Sequence, residues 1–264
     1  MSRWIVMALI GLATAVATAV WFAPAALVDV ALNNATSGRL RLANAGGTFW
    51  QGSGRLVLAD TLANVNTSNE RTDDGTVVQG LVLPGDIQWT ISRLPLFIGM
   101  LEASLRLDGM VAPLRLNGRI DELRGSAGSL NLASIELSRL GSPWNTIRPS
   151  GLISLRWNDF TIKRTLFEGK MTIEIRDASS VMTPVQPLGS YQVDIESSGA
   201  KADLKLITLA GPLNLTGAGI WTSQRGVSFS AEANADASER ERLQAFLAMV
   251  GRRQGDKVII KIGV

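Results

Sequence analysis

The chain of 264 residues contains no cysteine, no histidine and a single tyrosine. Without cysteine it has no disulfide, no cysteine-ligated zinc and no thiolate iron–sulfur cluster. Without histidine it lacks the commonest general base and the commonest metal ligand of enzymes. Most familiar hydrolase and oxidoreductase sites are therefore excluded. We predict a protein that is not an enzyme, with no catalytic residues, no bound metal and no cofactor.

Charge is also sparse. The sequence has 26 Lys and Arg against 23 Asp and Glu, and charged residues make up 19% while hydrophobic residues make up 46%. This balance is typical of a folded chain, because disordered chains combine low hydrophobicity with high charge. Only one stretch is long and apolar enough to cross a bilayer, so a multi-span membrane protein is excluded as well.

That stretch lies at the N-terminus, where no charge appears from Trp4 through Val28. Its core, Trp4 to Ala23, would measure about 30 Å as a helix, which matches the hydrocarbon core of a bilayer. We predict a transmembrane anchor at residues 1–24 and a β-rich domain outside the cytoplasm at residues 25–264. Arg3 favours a cytoplasmic N-terminus.

A cleaved signal peptide is the alternative interpretation of this stretch. Ala15-Val16-Ala17 and Ala17-Thr18-Ala19 both look like cleavage sites. The apolar run is longer than the roughly 7–15 residues of a signal-peptide core, which favours a retained anchor. Either way, the remainder of the chain lies outside the cytoplasm.

From Gly38 onward, apolar and polar residues alternate with a period of two, as in the run from Ser228 to Ala235. This pattern is typical of antiparallel sheet with one covered face. Roughly a dozen such runs predict an all-β, mainly antiparallel fold: a large curled meander sheet, a sandwich or a partial barrel. The predicted turns include Asp108-Gly109, Asn117-Gly118, Ser198-Gly199 and Gln224-Arg225-Gly226.

One amphipathic helix is predicted near the C-terminus. Ser238 and Glu241 have the spacing of a capping box, and Gly251 is a natural stop. Between them, apolar residues recur at helical spacing and should face the sheet: Leu243, Phe246, Leu247 and Val250. A helical turn at 134–140 and a polar loop at 60–76 are also expected.

Few residues suggest chemistry or a charged partner. Ser198 and Lys201 have the Ser-x-x-Lys spacing of acylating enzymes, but they fall in a predicted hairpin turn instead of at a helix start. The pairs Asp73-Asp74 and Asp121-Glu122 are interpreted as solvated turn residues. Nucleic acid is not an expected partner, because no cluster of basic and aromatic residues is present. Anionic lipid is a further candidate for the basic residues Arg39, Arg41, Arg252, Arg253, Lys257 and Lys261.

Two segments have unusual composition. Gly46 to Gly54 places four glycines around Phe49-Trp50, and Pro187 to Tyr191 contains the single tyrosine. Glycines within strands mark bulges or close backbone approach. Both segments are therefore expected to be corners of the fold, with partner docking as the alternative because Trp and Tyr are common interface anchors.

These segments, in order along nearly the whole chain, resemble the protein N family of the bacterial type II secretion system. In that family the residue before the tyrosine is often acidic, whereas this chain has Ser190, so no charged contact is implied there. The residues that carry the resemblance, in structural or docking roles, are Gly47, Thr48, Trp50, Gly52, Trp157, Pro187, Leu188, Gly189, Tyr191, Gly217, Gly219 and Trp221.

The resemblance implies an accessory component of type II secretion, a single-pass protein of the inner membrane with most of its chain in the periplasm. It implies other secretion subunits as partners in the export of folded proteins across the outer membrane. A second hypothesis is an AsmA-like lipid-handling protein that binds acyl chains on the apolar face of its sheet. Lipid would then be a partner too.

Overall fold

The computed structural model describes residues 2–59, 80–83, 85–132, 148–164, 166–255 and 257–263. The chain divides into two compact units, Met1–Leu94 and Pro95–Val264. The predicted turn at 134–140 and the predicted loop at 60–76 lie outside the described residues. Within each unit the strand pairings are antiparallel, so the mainly antiparallel β prediction is confirmed.

The first unit is built around a central strand, β2. Strand β1 pairs with one edge of β2, and β3 and β4 pair in succession with the other edge. A helix that the sequence did not predict, α2, packs against β1. The elements are α1 (Ser2–Trp21), α2 (Ala26–Ala35), β1 (Leu40–Gly47), β2 (Gln51–Ala59), β3 (Gly80–Val82), β4 (Ile87–Ile91) and α3 (Arg93–Leu96), which runs into the second unit.

Helix α1 lies inside the predicted anchor. Two of its hydroxyl groups are satisfied within the helix, since Thr14 Oγ1 donates to the Ile10 carbonyl and Thr18 Oγ1 to the Thr14 carbonyl. Among the described residues, no helix combines the length and the hydropathy needed to cross a bilayer.

In the second unit, most strands that are adjacent in the chain pair with each other. Strands β7 and β8 run in succession along β10 and β9, and β17 returns to pair with β15 after a helix. The strands are β5 (Met100–Leu107), β6 (Leu114–Arg119), β7 (Glu122–Gly125), β8 (Gly128–Leu132), β9 (Pro149–Trp157), β10 (Phe160–Lys163), β11 (Leu166–Ser180), β12 (Gly189–Gly199), β13 (Lys201–Ala210), β14 (Leu213–Thr222), β15 (Gly226–Ala235), β16 (Arg252–Gln254) and β17 (Lys257–Ile262).

The core of the second unit lies where helix α4 (Arg240–Val250) packs against β15 and β17. The predicted apolar stripe of this helix is confirmed: Leu243 is fully buried, and Phe246 and Leu247 are nearly so. The helix covers one end of the apolar sheet face, where the buried residues are Leu188, Leu213, Ala233, Ala235 and Val258.

The predicted start of α4 was wrong, whereas the predicted stop at Gly251 is confirmed. The N-cap residue is Glu239, which makes no side-chain cap bond; its carboxylate pairs with Arg242 at 2.8 Å. The predicted Ser238 capping box is therefore not formed. Gly251 does follow the helix, but its backbone is extended. A Cβ there would lie 2.6 Å from the Ile259 carbonyl oxygen, so the glycine serves the close approach of β16 to β17.

One predicted turn was misplaced. Asn117-Gly118 lies inside β6, and the chain reverses instead at Ile120-Asp121. The other predicted turns lie at strand ends: Asp108-Gly109 follows β5, Ser198-Gly199 ends β12, and Gln224-Arg225-Gly226 leads from β14 into β15.

Candidate functional site

The tip of the β1–β2 hairpin holds the chain that leaves α1. The Phe49 amide donates to the Ala23 carbonyl at 2.8 Å, and the Ala25 amide donates to the Gly47 carbonyl at 3.3 Å. The Trp50 indole Nε1 donates to the Val20 carbonyl at 2.8 Å. Carbonyl groups in the last turn of a helix lack a regular helical partner, and that of Val20 accepts from Trp50 and, at 3.4 Å, from the Ala23 amide. We call residues 20–25 together with residues 47–52 the anchor junction.

The sequence of the hairpin tip explains its shape. Gly47 and Gly52 are paired, and Gly47 has φ +90°, a conformation that side chains with a Cβ rarely adopt. Between them, the Thr48 amide donates to the Gln51 carbonyl at 2.9 Å, and the Gln51 amide donates to Thr48 Oγ1 at 3.2 Å. The predicted corner at Gly47, Thr48, Trp50 and Gly52 is therefore a tight turn that presents Trp50 to α1.

Trp89, which the sequence analysis did not single out, supports this turn from the next strand. It pairs with Gly52, is 3% exposed, and donates from Nε1 to the Phe49 carbonyl at 3.1 Å. A Cβ at Gly52 would lie 2.5 Å from Trp89 Cζ2. Gly52 is thus a glycine because the indole of Trp89 occupies the space that a side chain would need.

Arg93 packs against the anchor junction. Its guanidinium carbon lies 4.0 Å from the ring centroid of Trp21 and 5.5 Å from that of Trp50. A cation over an indole face is attracted by the ring quadrupole. One cation therefore joins the last residue of α1 to the hairpin tip. No motif in the sequence indicated this role for Arg93.

The second motif cluster is a corner of the second unit. Tyr191 is 6% exposed, and its hydroxyl donates to the Leu213 carbonyl at 2.9 Å. Burial raises the pKa of the Tyr191 hydroxyl well above its ordinary value, so it stays a neutral donor. The Leu188 amide donates to the Ala178 carbonyl and the Leu188 carbonyl accepts from the Leu213 amide. Pro187, which follows Gln186 through a cis peptide bond, precedes Leu188, and Gly189 opens β12.

Ser190 occupies the position before Tyr191 at which the resembled family often has an acidic residue. Its Oγ accepts from the Asp177 amide at 3.2 Å. The corner is therefore joined to β11 by a neutral hydrogen bond. Together with the burial of Tyr191 and Leu188, this makes the corner a structural element of the core.

The remaining motif residues show the same packing of aromatic rings on glycines. Trp157 pairs with Gly128 and donates from Nε1 to the Ser126 carbonyl at 3.0 Å. A Cβ at Gly217 or Gly219 would lie within 2.8 Å of the Phe229 ring. Trp221 pairs with Ala202 and Val227 farther along β14. Trp157 lies at the end of β9, whereas Gly217, Gly219 and Trp221 all lie on β14.

The possible catalytic residues are held in ordinary contacts. Ser198 and Lys201 face each other across the β12–β13 hairpin, and Lys201 pairs with Asp203 at 2.8 Å. Asp121 and Glu122 each face an arginine. The described ranges contain no group of three or more His, Cys, Asp or Glu able to hold a metal ion. Of the basic residues, Arg41 is paired with Asp29 and Lys257 with Glu232.

The Arg41–Asp29 pair attaches α2 to β1. Both carboxylate oxygens of Asp29 accept from Arg41, at 3.1 and 2.9 Å, and the Leu42 amide donates to Asp29 at 2.7 Å. Burial alone would raise the pKa of Asp29, but the bonds from Arg41 and Leu42 outweigh burial and hold that pKa below its usual value. The ion pair is therefore a structural clamp.

A sequence model of the type II secretion system protein N family matches residues 38–260. The chain belongs to this family. The match includes the hairpin tip, the Tyr191 corner and helix α4, so it spans both units. No curated protein and no solved structure matches the chain. Family membership identifies the chain as a component of type II secretion.

The fit of Trp89 on Gly52 predicts the effect of a single methyl group. Gly52→Ala should lower the free energy of unfolding by about 1–3 kcal/mol, because the added Cβ overlaps the indole and the Gly46 carbonyl. Gly46→Ala is the matched control in the same hairpin, since a Cβ there meets nothing within 4 Å. Urea denaturation followed by tryptophan fluorescence measures both. Equal midpoints for the two variants would show that the indole does not occupy this space.

The lowered pKa of Asp29 predicts a pH dependence. The stabilisation by its carboxylate is complete above the unfolded pKa of about 3.9 and is lost as the pH falls through the lower folded pKa. Asp29→Asn should therefore cost about 1–3 kcal/mol at neutral pH, and its difference from the wild type should shrink in acid. Denaturation midpoints between neutral and acidic pH measure this. Asp203→Asn, in an exposed pair, is the control; a constant difference for Asp29→Asn at every pH would refute the assignment.

Proposed function

We propose that the chain is a non-enzymatic accessory component of the type II secretion system, anchored in the inner membrane with residues 25–264 in the periplasm. It supports export of folded proteins across the outer membrane through contacts with other secretion subunits. The observation that carries this proposal is the family match over residues 38–260.

The anchoring part is supported by the uncharged run from Trp4 through Val28 and by the anchor junction. The hydrogen bonds from Phe49 and Trp50 tie the end of α1 directly to the β1–β2 hairpin. A helix attached in this way fixes the position of the first unit at the membrane surface.

The non-enzymatic part is supported by the residues that the chain offers. It has neither histidine nor cysteine, and the Ser198–Lys201 pair lies in a hairpin where the serine has no helix N-terminus to activate it. The buried tyrosine has its hydroxyl committed to the Leu213 carbonyl. We therefore expect the chain to act by binding other molecules.

The contact surface that we favour is the outer edge of β16. This strand pairs with β17, and its residues Arg252, Arg253 and Gln254 are all exposed. Among the strand pairings of the described residues, β16 pairs with β17 alone, and β15 lies on the far side of β17. Exposed edges accept a strand from a partner through backbone hydrogen bonds, and arginines there oppose pairing of two identical copies. The Trp50 region is disfavoured, because Trp50 is engaged with α1.

A second candidate function, lipid handling, is favoured by one observation. Helix α4 covers one end of the apolar sheet face, while Val227 and Ile262 toward the other end are 38% and 47% exposed. An uncovered apolar strip on a sheet is a surface on which an acyl chain could lie.

Photo-crosslinking in the bacterium that encodes the chain tests these proposals. A photoreactive residue at Gln254 should capture other type II secretion subunits, whereas one at Gln224, an exposed glutamine in the β14–β15 turn, should not. Mass spectrometry identifies the captured proteins and any lipids that purify with them. Equal yields from both positions, or lipid as the sole captured species, would contradict the edge contact; the latter result would favour lipid handling.

A further inference from the structure

Helix α2 carries apolar residues on the side that does not face the sheet. Leu27, Val30 and Ala31 are all exposed, and their i, i+3, i+4 spacing places them on one stripe of the helix. The opposite side of α2 packs against β1. In a surface helix of a soluble domain, the side away from the sheet would carry charged or polar groups. The exposed stripe of α2 therefore calls for an apolar environment.

The charge in α2 points away from this stripe. The sequence of α2 holds one charged residue, Asp29, and its side chain is 18% exposed. Both oxygens of Asp29 are bound on the β1 side by Arg41 and the Leu42 amide. The outward surface of the helix thus carries no charge, and an apolar phase could accept it without a desolvation cost for an ion.

The end of α1 extends the same kind of surface. Trp21 and Phe22 are 56% and 68% exposed, although they belong to the anchor junction. Arg93, stacked on Trp21 at 4.0 Å, is followed by Leu94, which is 81% exposed. Tryptophan and arginine beside exposed aliphatic groups are typical of the boundary between lipid headgroups and acyl chains.

We propose that these exposed residues, Trp21, Phe22, Leu27, Val30 and Leu94, form a collar that lies in the headgroup boundary of a lipid bilayer. The proposal rests on the proposed insertion of α1, since the collar begins at the last residue of that helix. Helix α2 then lies along the membrane surface as an interfacial helix.

Continuity of the chain argues for lipid over a protein partner as the occupant. The uncharged run that begins at Trp4 does not stop with α1 but continues through Val28 in the first turn of α2. The end of α1 and the start of α2 are therefore both suited to an apolar environment. Burial of apolar surface contributes about 25 cal/mol per Å². Several partly inserted side chains therefore bind the first unit to the bilayer more strongly than one side chain would.

The collar has a mechanical consequence. A single membrane helix leaves its domain free to rotate and tilt, whereas a second, interfacial helix restricts tilting. Because Asp29 and Arg41 clamp α2 to β1, restricting α2 also restricts the β1–β2 hairpin. The first unit would thus hold a defined orientation at the membrane surface.

Depth-dependent fluorescence quenching tests the collar on the full chain, and the absence of native cysteines makes single-site labelling direct. An environment-sensitive fluorophore is attached to the single cysteine of each of three variants, Ile10→Cys, Val30→Cys and Leu94→Cys. Ser53→Cys, an exposed and nearly isosteric site on β2, is the control. The protein is reconstituted in vesicles of phosphatidylethanolamine and phosphatidylglycerol with nitroxide groups placed either near the headgroups or deep in the acyl chains.

We expect the labels at 30 and 94 to lose most of their fluorescence to the shallow nitroxide, the label at 10 to the deep one, and the label at 53 to neither. Quenching at 10 without quenching at 30 and 94 would overturn the collar while leaving the anchor intact. No quenching at 10 would overturn the anchor and the collar together. A third outcome is that the labels at 30 and 94 report an apolar environment only when purified secretion subunits are added. That result would assign the surface to a protein partner and would also refute the proposal.

Discussion

The packing of aromatic rings onto glycines of the neighbouring strand is the constraint on which much of this structure depends. Trp89 lies on Gly52, and Trp157 lies on Gly128, and in each pair the indole also donates to a backbone carbonyl near the glycine. A ring fills the space left by the missing side chain and shields the backbone. Removing either member of a pair leaves a void or a clash, so these positions specify strand register.

Because of this constraint, the motif residues have structural roles, and we expect other residues to contact partner molecules. The motif glycines and aromatic residues pack against neighbouring strands. The Tyr191 hydroxyl and the Trp50 indole both donate hydrogen bonds to backbone carbonyls. The surfaces that we propose for contact with other molecules, the edge of β16 and the outward stripe of α2, carry none of these motif residues.

Much of the fold could be predicted from the sequence because its signals were periodic. Alternation identified β11 and β15, and helical spacing identified the stripe of α4. Helix α2 escaped prediction because both of its sides are apolar around Asp29, which leaves no contrast for a periodic pattern. Asn117-Gly118 was misleading because a glycine required by close strand approach looks, in sequence, like a glycine required by a turn. The role of Arg93 depends on contacts with residues far away in the chain, which no local pattern encodes.

The central claim is that the chain contributes to type II secretion by contact and not by catalysis. The most direct test removes its gene, restores it on a plasmid, and compares the location of type II substrates in culture medium and periplasm. The account predicts that substrates accumulate in the periplasm of the deletion strain and return to the medium on restoration, also with Ser198→Ala in place of the wild type. Normal secretion by the deletion strain under several growth conditions, or failure of Ser198→Ala alone to restore it, would contradict the account.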